Sequence, residues 1–217
     1  MKPRLWNAAL VLLLASSGLG ATAIQVTTRN DQFGEDTTKC SLREAVQAAN
    51  TDTAFGGCPA GSATDLITFD QFSNQPKLTR AGRDEDANAT GDLDVSASGT
   101  IVFVGNSTGG TVIDGNGIDR VFDLDCRSDM NVQFNSLTIR GGDAGSGAGG
   151  GIYMCAHTAS IYAVHMTENS ASSVVHCTFR PHRSQGQSQS IAARSRAIAR
   201  ALRTEERSHT MATNCSS

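Results

Sequence analysis

Residues 131–142 read NVQFNSLTIRGG, residues 159–171 read ASIYAVHMTENSA, and the two stretches superpose. Phe134, Leu137 and Ile139 fall on Ile161, Val164 and Met166, each displaced by 27 positions. Upstream of them, Asp123–Cys126 matches Ile152–Cys155 once two residues are deleted between. Apolar runs this short, closed by Asn-Ser or Gly-Gly, read as strands ended by turns. Units repeating every 20 to 50 residues or so cannot each bury an apolar face alone, so they stack on their neighbours.

The same vocabulary extends outward in both directions. DLITFD (65–70), GTIVFVG (99–105), GTVIDGNG (110–117), RVFDLDC (120–126) and GGIYMC (150–155) are further short strands between turn dipeptides. The expected class is mainly β, a parallel β-helix spanning residues 64–173, in which a 27-residue unit makes about four coils. An antiparallel sandwich is the competing architecture; its turn spacing fits equally well, but it does not explain the in-register repeat.

One phrase stands apart, CSLREAVQAAN at 40–50. Ser41 with Glu44 three residues on is a capping box, and Leu42, Ala45, Val46 and Ala49 form one apolar stripe at helical spacing. Arg43, Glu44 and Gln47 lie off that stripe, and Asn50 is a reasonable terminator. So short a helix needs a surface beneath it. The open end of stacked parallel strands needs covering. The phrase is therefore expected to cap the first coil, in a region spanning 24–63. Arg43 and Glu44 as an acid/base pair is the weaker reading.

The amino terminus has Lys2 and Arg4, an apolar run from Ala8 to Ala15, and small residues ending in Ala21-Thr22-Ala23. That is the plan of a secretory signal over 1–23, with cleavage after Ala23. The apolar run is too short to span a bilayer, and no later stretch could do so. Export makes disulfides available to the six cysteines at 40, 58, 126, 155, 177 and 215. Cys40 and Cys58 bracket the helical phrase as a local staple. Cys126 and Cys155 end matched strands and are expected to bridge adjacent coils. The pairing of Cys177 and Cys215 stays open.

Charge is uneven. The chain has 18 Lys+Arg against 21 Asp+Glu, yet residues 174–217 hold seven Arg and two Glu. With the signal also removed, residues 24–173 keep nine basic and nineteen acidic groups. No basic stripe for nucleic acid exists there. The tail from 174 drops the strand-and-turn pattern; a frameshift in a repeat-coding gene explains its composition, and disorder is its expected state. Ile191, Ala192, Ile198, Ala199 and Leu202 allow at most a loose amphipathic helix.

CSLREAVQAAN, then LITFD, TVIDGNGIDRVFDL and SLTIRGGDAGSGAGGGIY, resemble bacterial secreted proteins of the CSLREA-domain type. These are similar to right-handed parallel β-helix proteins and to the polymorphic outer-membrane protein repeats. The resemblance covers about residues 24–171. It implies an exported or surface-displayed protein, generally without an established activity. The expected role is interaction or adhesion, with no cofactor and with an extracellular polysaccharide or a host or envelope surface as partner. The repeats of that family run through many coils, so this chain reads as a truncated form. The different-class alternative is a polysaccharide lyase or glycosidase. There Asp114, Asp123 and Asp125, with Asp119 and Arg120 among them, would hold Ca²⁺ or flank a glycosidic bond. Against it, Asp114-Gly115 is a turn dipeptide and Asp123 and Asp125 alternate with Phe122 and Leu124. GGDAGSGAGGG (141–151) lacks the Lys-Ser/Thr end of a phosphate loop and reads as a flexible connection. His157 and His165 have no metal-like spacing.

Overall fold

The computed structural model describes residues 20–106, 110–125, 130–154 and 158–172, and the backbone of 177–180 and 211–215. Cys126, Cys155, His157, residues 1–19 of the expected signal and the possible tail helix around Ile191–Leu202 lie outside the described residues.

In chain order the elements are β1 Thr22–Val26, α1 Leu42–Thr51, β2 Thr64–Phe69, β3 Leu93–Val95, β4 Gly99–Val104, β5 Thr111–Asp114 and β6 Phe122–Leu124. They continue with β7 Met130–Asn135, β8 Leu137–Arg140, β9 Ile152–Met154, β10 Thr158–Tyr162, β11 His165–Thr167, β12 Cys177–Arg180 and β13 Met211–Cys215. The largest sheet runs β1-β2-β4-β7-β10-β13-β12 and is parallel as far as β10. Strand β13 is antiparallel to both its neighbours, placing Cys177 opposite Cys215. The other two sheets, β11-β8-β5 and β3-β6-β9, are parallel and three-stranded.

This corrects the expectation of a right-handed parallel β-helix of about four coils. Among the described residues the protein is mainly β, with short strands in three small sheets and one helix. Thr22 faces Asp65, Thr64 faces Thr100, Gly99 faces Met130 and Asn131 faces Thr158, separations of 43, 36, 31 and 27 residues. The 27-residue spacing is real for β7 with β10 and for β8 with β11, where Phe134 faces Ile161 and Ile139 faces Met166. It is a local register and not a period of the whole chain, because the connections between strands differ in length and one of them holds α1. The upstream match slips by one residue: Asp123 faces Tyr153, not Ile152. In a strand such a slip exchanges the two faces.

The core forms where inward residues of successive strands stand in register. Ile24, Ile67, Phe103, Phe134 and Ile161 make one such row across the largest sheet. Phe103 and Phe134 stack with centroids 5.0 Å apart, and Phe122 of β6 meets both edge-on at 5.1 and 5.0 Å. These three buried rings join the largest sheet to the third, and offset or edge-on ring pairs add to the burial of their area.

Helix α1 begins as expected. The Ser41 hydroxyl accepts from Glu44 N–H at 3.2 Å, and the Ser41 N–H donates to Glu44 Oε2 at 3.0 Å. It runs on to Thr51 and ends at Asp52 in the left-handed region (φ 52°), beyond Asn50. Leu42, Ala45, Val46 and Ala49 are buried, and the helix packs on β1, β2 and β3. Cys40 and Cys58 form the expected disulfide. Arg43 and Glu44, read as off the stripe, are also fully buried. Glu44 Oε1 accepts from Gly34 N–H at 2.8 Å, and the chain passes so close that a Cβ on Gly56 (φ 57°) would stand 2.3 Å from that oxygen.

Candidate functional site

The segment Asp92-Leu93-Asp94-Val95 alternates, and its apolar residues go into the core. The aspartates therefore face the other way. Strand β6 does the same, with Phe122 and Leu124 inward and Asp123 between them. The pairing of β3 with β6 sets Asp94 directly opposite Asp123. One carboxylate oxygen from each of Asp92, Asp94 and Asp123 lies within 4.8 Å of the others. Like charges directly opposed on neighbouring strands repel, so the cluster is not there for sheet stability.

The cluster is covered. Asp92 is 3% exposed and Asp94 7%. Arg43 of α1 holds one wall: its Nη1 donates to the carbonyls of Asp92 (2.7 Å), Asn88 (3.3 Å) and Thr90 (3.3 Å), and its Nη2 to that of Gly91 (2.8 Å). Nε and Nη2 donate to the two carboxylate oxygens of Asp31 at 2.6 and 3.3 Å. The arginine of the CSLREA phrase is thus the clamp on the loop that delivers Asp92, and the acid/base reading of Arg43 and Glu44 has no geometry behind it. Asn88 N–H donates to Asp94 Oδ2 at 2.8 Å.

Arg120 supplies the cluster's cation. Its Nη1 lies 3.4 Å from Asp92 Oδ2 and 3.4 Å from Asp123 Oδ2, and its guanidinium sits over the Tyr153 ring at 5.1 Å. Next to it, Asp119 is 2% exposed; Oδ1 accepts from Arg120 N–H at 2.8 Å, while Oδ2 is buried without a hydrogen-bond partner. Burial pushes the Asp92 carboxyl up to about 7, helped by the charges of Asp119 and Asp123 and opposed by Arg120. Burial also raises Asp94 to about 8, with Asp92 adding to it against the Asn88 N–H. Asp123 rises to about 6 through burial, held back by Arg120. The Arg120 guanidinium is itself raised: burial works against its charge, but Asp123, Asp92 and Asp119 outweigh that.

Of the residues singled out in sequence, the structure brings Asp123, Arg120 and Asp119 to one place, and the Asp125 charge reaches Asp123. Asp125 N–H donates to the Val95 carbonyl at 3.0 Å, tying β6 to β3. Asp114 belongs to another sheet, where its Oδ2 pairs with Arg140 at 2.8 Å. Asp92 and Asp94 were not singled out. The signal was present: D-L-D occurs at 92–94 and again at 123–125, and spacing by two puts both carboxylates on one face of a strand. The Gly-rich 141–151 segment is pinned, with Gly142 N–H donating to Asn169 Oδ1 at 2.9 Å and a Cβ at Gly142 meeting the Gly150 carbonyl. His165 is exposed on β11.

Among the described residues no helix is long and apolar enough to cross a membrane, a statement silent about strands. No family model, no curated protein and no solved structure matches the chain.

Proposed function

We propose that the chain is an exported or cell-surface protein that works by binding, an interaction or adhesion protein of the CSLREA type, and that its partner is an extracellular polysaccharide or a host or envelope surface. The observation that carries the choice of binding over turnover is that the acidic cluster is covered. Glycosidases keep their two carboxyl groups about 5–5.5 Å or 6.5–9.5 Å apart, flanking an accessible bond. Here one carboxylate oxygen from each of Asp92, Asp94 and Asp123 lies within 4.8 Å of the others, and Asp92, whose carbonyl Arg43 holds, and Asp94 are both buried. The Cys40–Cys58 disulfide supports the location, since such bonds persist in oxidising compartments.

The expected cut after Ala23 would take Thr22 and Ala23 from β1 and leave Ile24, Gln25 and Val26 paired with Ile67, Thr68 and Phe69. The test is to express the whole chain with its own leader and fractionate the cells. The exported form is then sequenced from its amino terminus and offered acidic and neutral polysaccharides, measuring retention and chain cleavage together. Retention without cleavage is the expected result. Cleavage of a polysaccharide would hand the chain to the enzyme reading, and retention of the protein in the cytoplasm would end the export reading.

A further inference from the structure

We infer that Cys177 and Cys215 are joined by a disulfide that staples the strand pair β12–β13 onto the edge of the largest sheet. The two cysteines are directly opposed in the antiparallel register: Cys177 faces Cys215, Thr178 faces Asn214, Phe179 faces Thr213 and Arg180 faces Ala212. Opposed residues in such a pair share a face, with Cα atoms about 4.5 or 5.5 Å apart according to whether they exchange hydrogen bonds. A disulfide needs a Cα separation of about 4.4–6.8 Å, so either kind of pair meets it. The register is what makes the bond possible, since a slip of one residue would put the two cysteines on opposite faces.

Cys40 and Cys58 are already joined, and Cys177 and Cys215 are the two others that described strands place in one register. The bond rests on the export reading above, because an oxidising compartment is where such bonds form and persist. Its formation is a thiol–disulfide exchange. Each thiol gives up a proton and the S–S bond forms. The two electrons pass to the disulfide of an oxidant in that compartment, which leaves as two thiols. The place of the bond gives it work to do. Strand β13 lies between β12 and β10, pairing Asn214 with Thr158 and Met211 with Ile161. Strand β10 ends the parallel run of that sheet, and its free edge would offer unpaired backbone groups to other chains. The strands that cover it are only four and five residues long, and the two cysteines are 38 positions apart in the chain. Bringing such distant segments together has a loop-closure cost, most of which a cross-link removes from the folding step.

The test takes the whole chain expressed with its own leader, blocks free thiols without reduction, and maps it after digestion with trypsin and a glutamate-specific protease. Residues 169–183, which carry Cys177, and 208–217, which carry Cys215, should run as one linked species that separates on reduction. The Cys40–Cys58 bond is read in the same map and reports the compartment. With that bond present, finding Cys177 and Cys215 both alkylated would overturn the staple and leave the export reading standing. A link from either one to Cys126, Cys155 or a second chain would do the same. A chain held in the cytoplasm with all six thiols alkylated would end the export reading instead. That chain is then refolded in a glutathione redox buffer, where the 177–215 link should form ahead of any other pairing of Cys177 or Cys215. Its failure to form there would overturn the staple independently of where the protein resides.

Discussion

Replacing Arg43 by alanine should cost more stability than any other single change in α1. The side chain is fully buried and makes six hydrogen bonds, two to the Asp31 carboxylate and four to the carbonyls of Asn88, Thr90, Gly91 and Asp92. Removing one partner of a buried ion pair costs about 3–5 kcal/mol. The four carbonyls add less than their separate values, because water entering the vacated volume can satisfy some of them. Asp31 also keeps two donors, the N–H groups of Thr79 and Arg80 at 2.8 and 3.0 Å. The net expectation is about 4–5 kcal/mol, a large part of the ~5–15 kcal/mol that holds a domain together. Arg43→Lys keeps the charge but not the planar fork, and should lose about 2–3 kcal/mol.

Equilibrium urea unfolding with the disulfide intact is the assay. With a slope of about 2 kcal/mol per molar urea, the alanine variant's midpoint should fall by about 2 M. Asp31→Ala should be severe as well, and the double variant should be milder than the sum of the singles by about 2 kcal/mol. Helix α1 keeps its capping box in these variants, so the first site of proteolysis should be the 84–92 loop and not the helix. An Arg43→Ala protein within about 1 kcal/mol of wild type, or strict additivity with Asp31→Ala, would refute the clamp.

Phe134→Ala removes a ring stacked on Phe103 and edge-on to Phe122, and should cost about 3–5 kcal/mol by thermal unfolding. The Cys40→Ser, Cys58→Ser pair opens a cross-link between residues 18 apart and should lose about 3 kcal/mol, read as a drop in urea midpoint. Burial raises the Asp65 carboxyl from 3.8 to about 6 against the pull of the Ser62 N–H, so the folded state holds its proton more tightly than the unfolded chain. Stability tied to that proton is full below pH 3.8 and lost as pH rises through about 6. Asp65→Asn should therefore flatten that slope and gain about 1–2 kcal/mol at neutral pH after solvent screening, measured by unfolding across pH. An exported chain cut after Ala23 loses Trp6, its one tryptophan, and should show tyrosine emission alone; indole emission from the secreted protein would mean the leader is retained.

What the sequence determined by itself lies within a few residues of itself. The Ser41–Glu44 box, the Leu42-Ala45-Val46-Ala49 face and the alternation of Ile67 with Phe69 or Ile101 with Phe103 follow from local backbone geometry, and all are present in the structure. The match between 131–142 and 159–171 was legible for the same reason, since one short stretch of chain pairs with its near copy. Extending that spacing to the whole chain failed, because register elsewhere is set by connections of unequal length that carry no periodic signal. The acidic site depends on those connections. Asp94 meets Asp123 only because β3 and β6 pair 29 residues apart, although the two D-L-D segments are 31 apart in sequence. Arg43 looked like a solvent-facing residue until the 88–92 loop closed over it, more than forty positions away. Tertiary structure decided the clamp and the cluster, because both are made by carbonyls and carboxylates brought together through burial, and burial is a property of the packed chain, not of any segment.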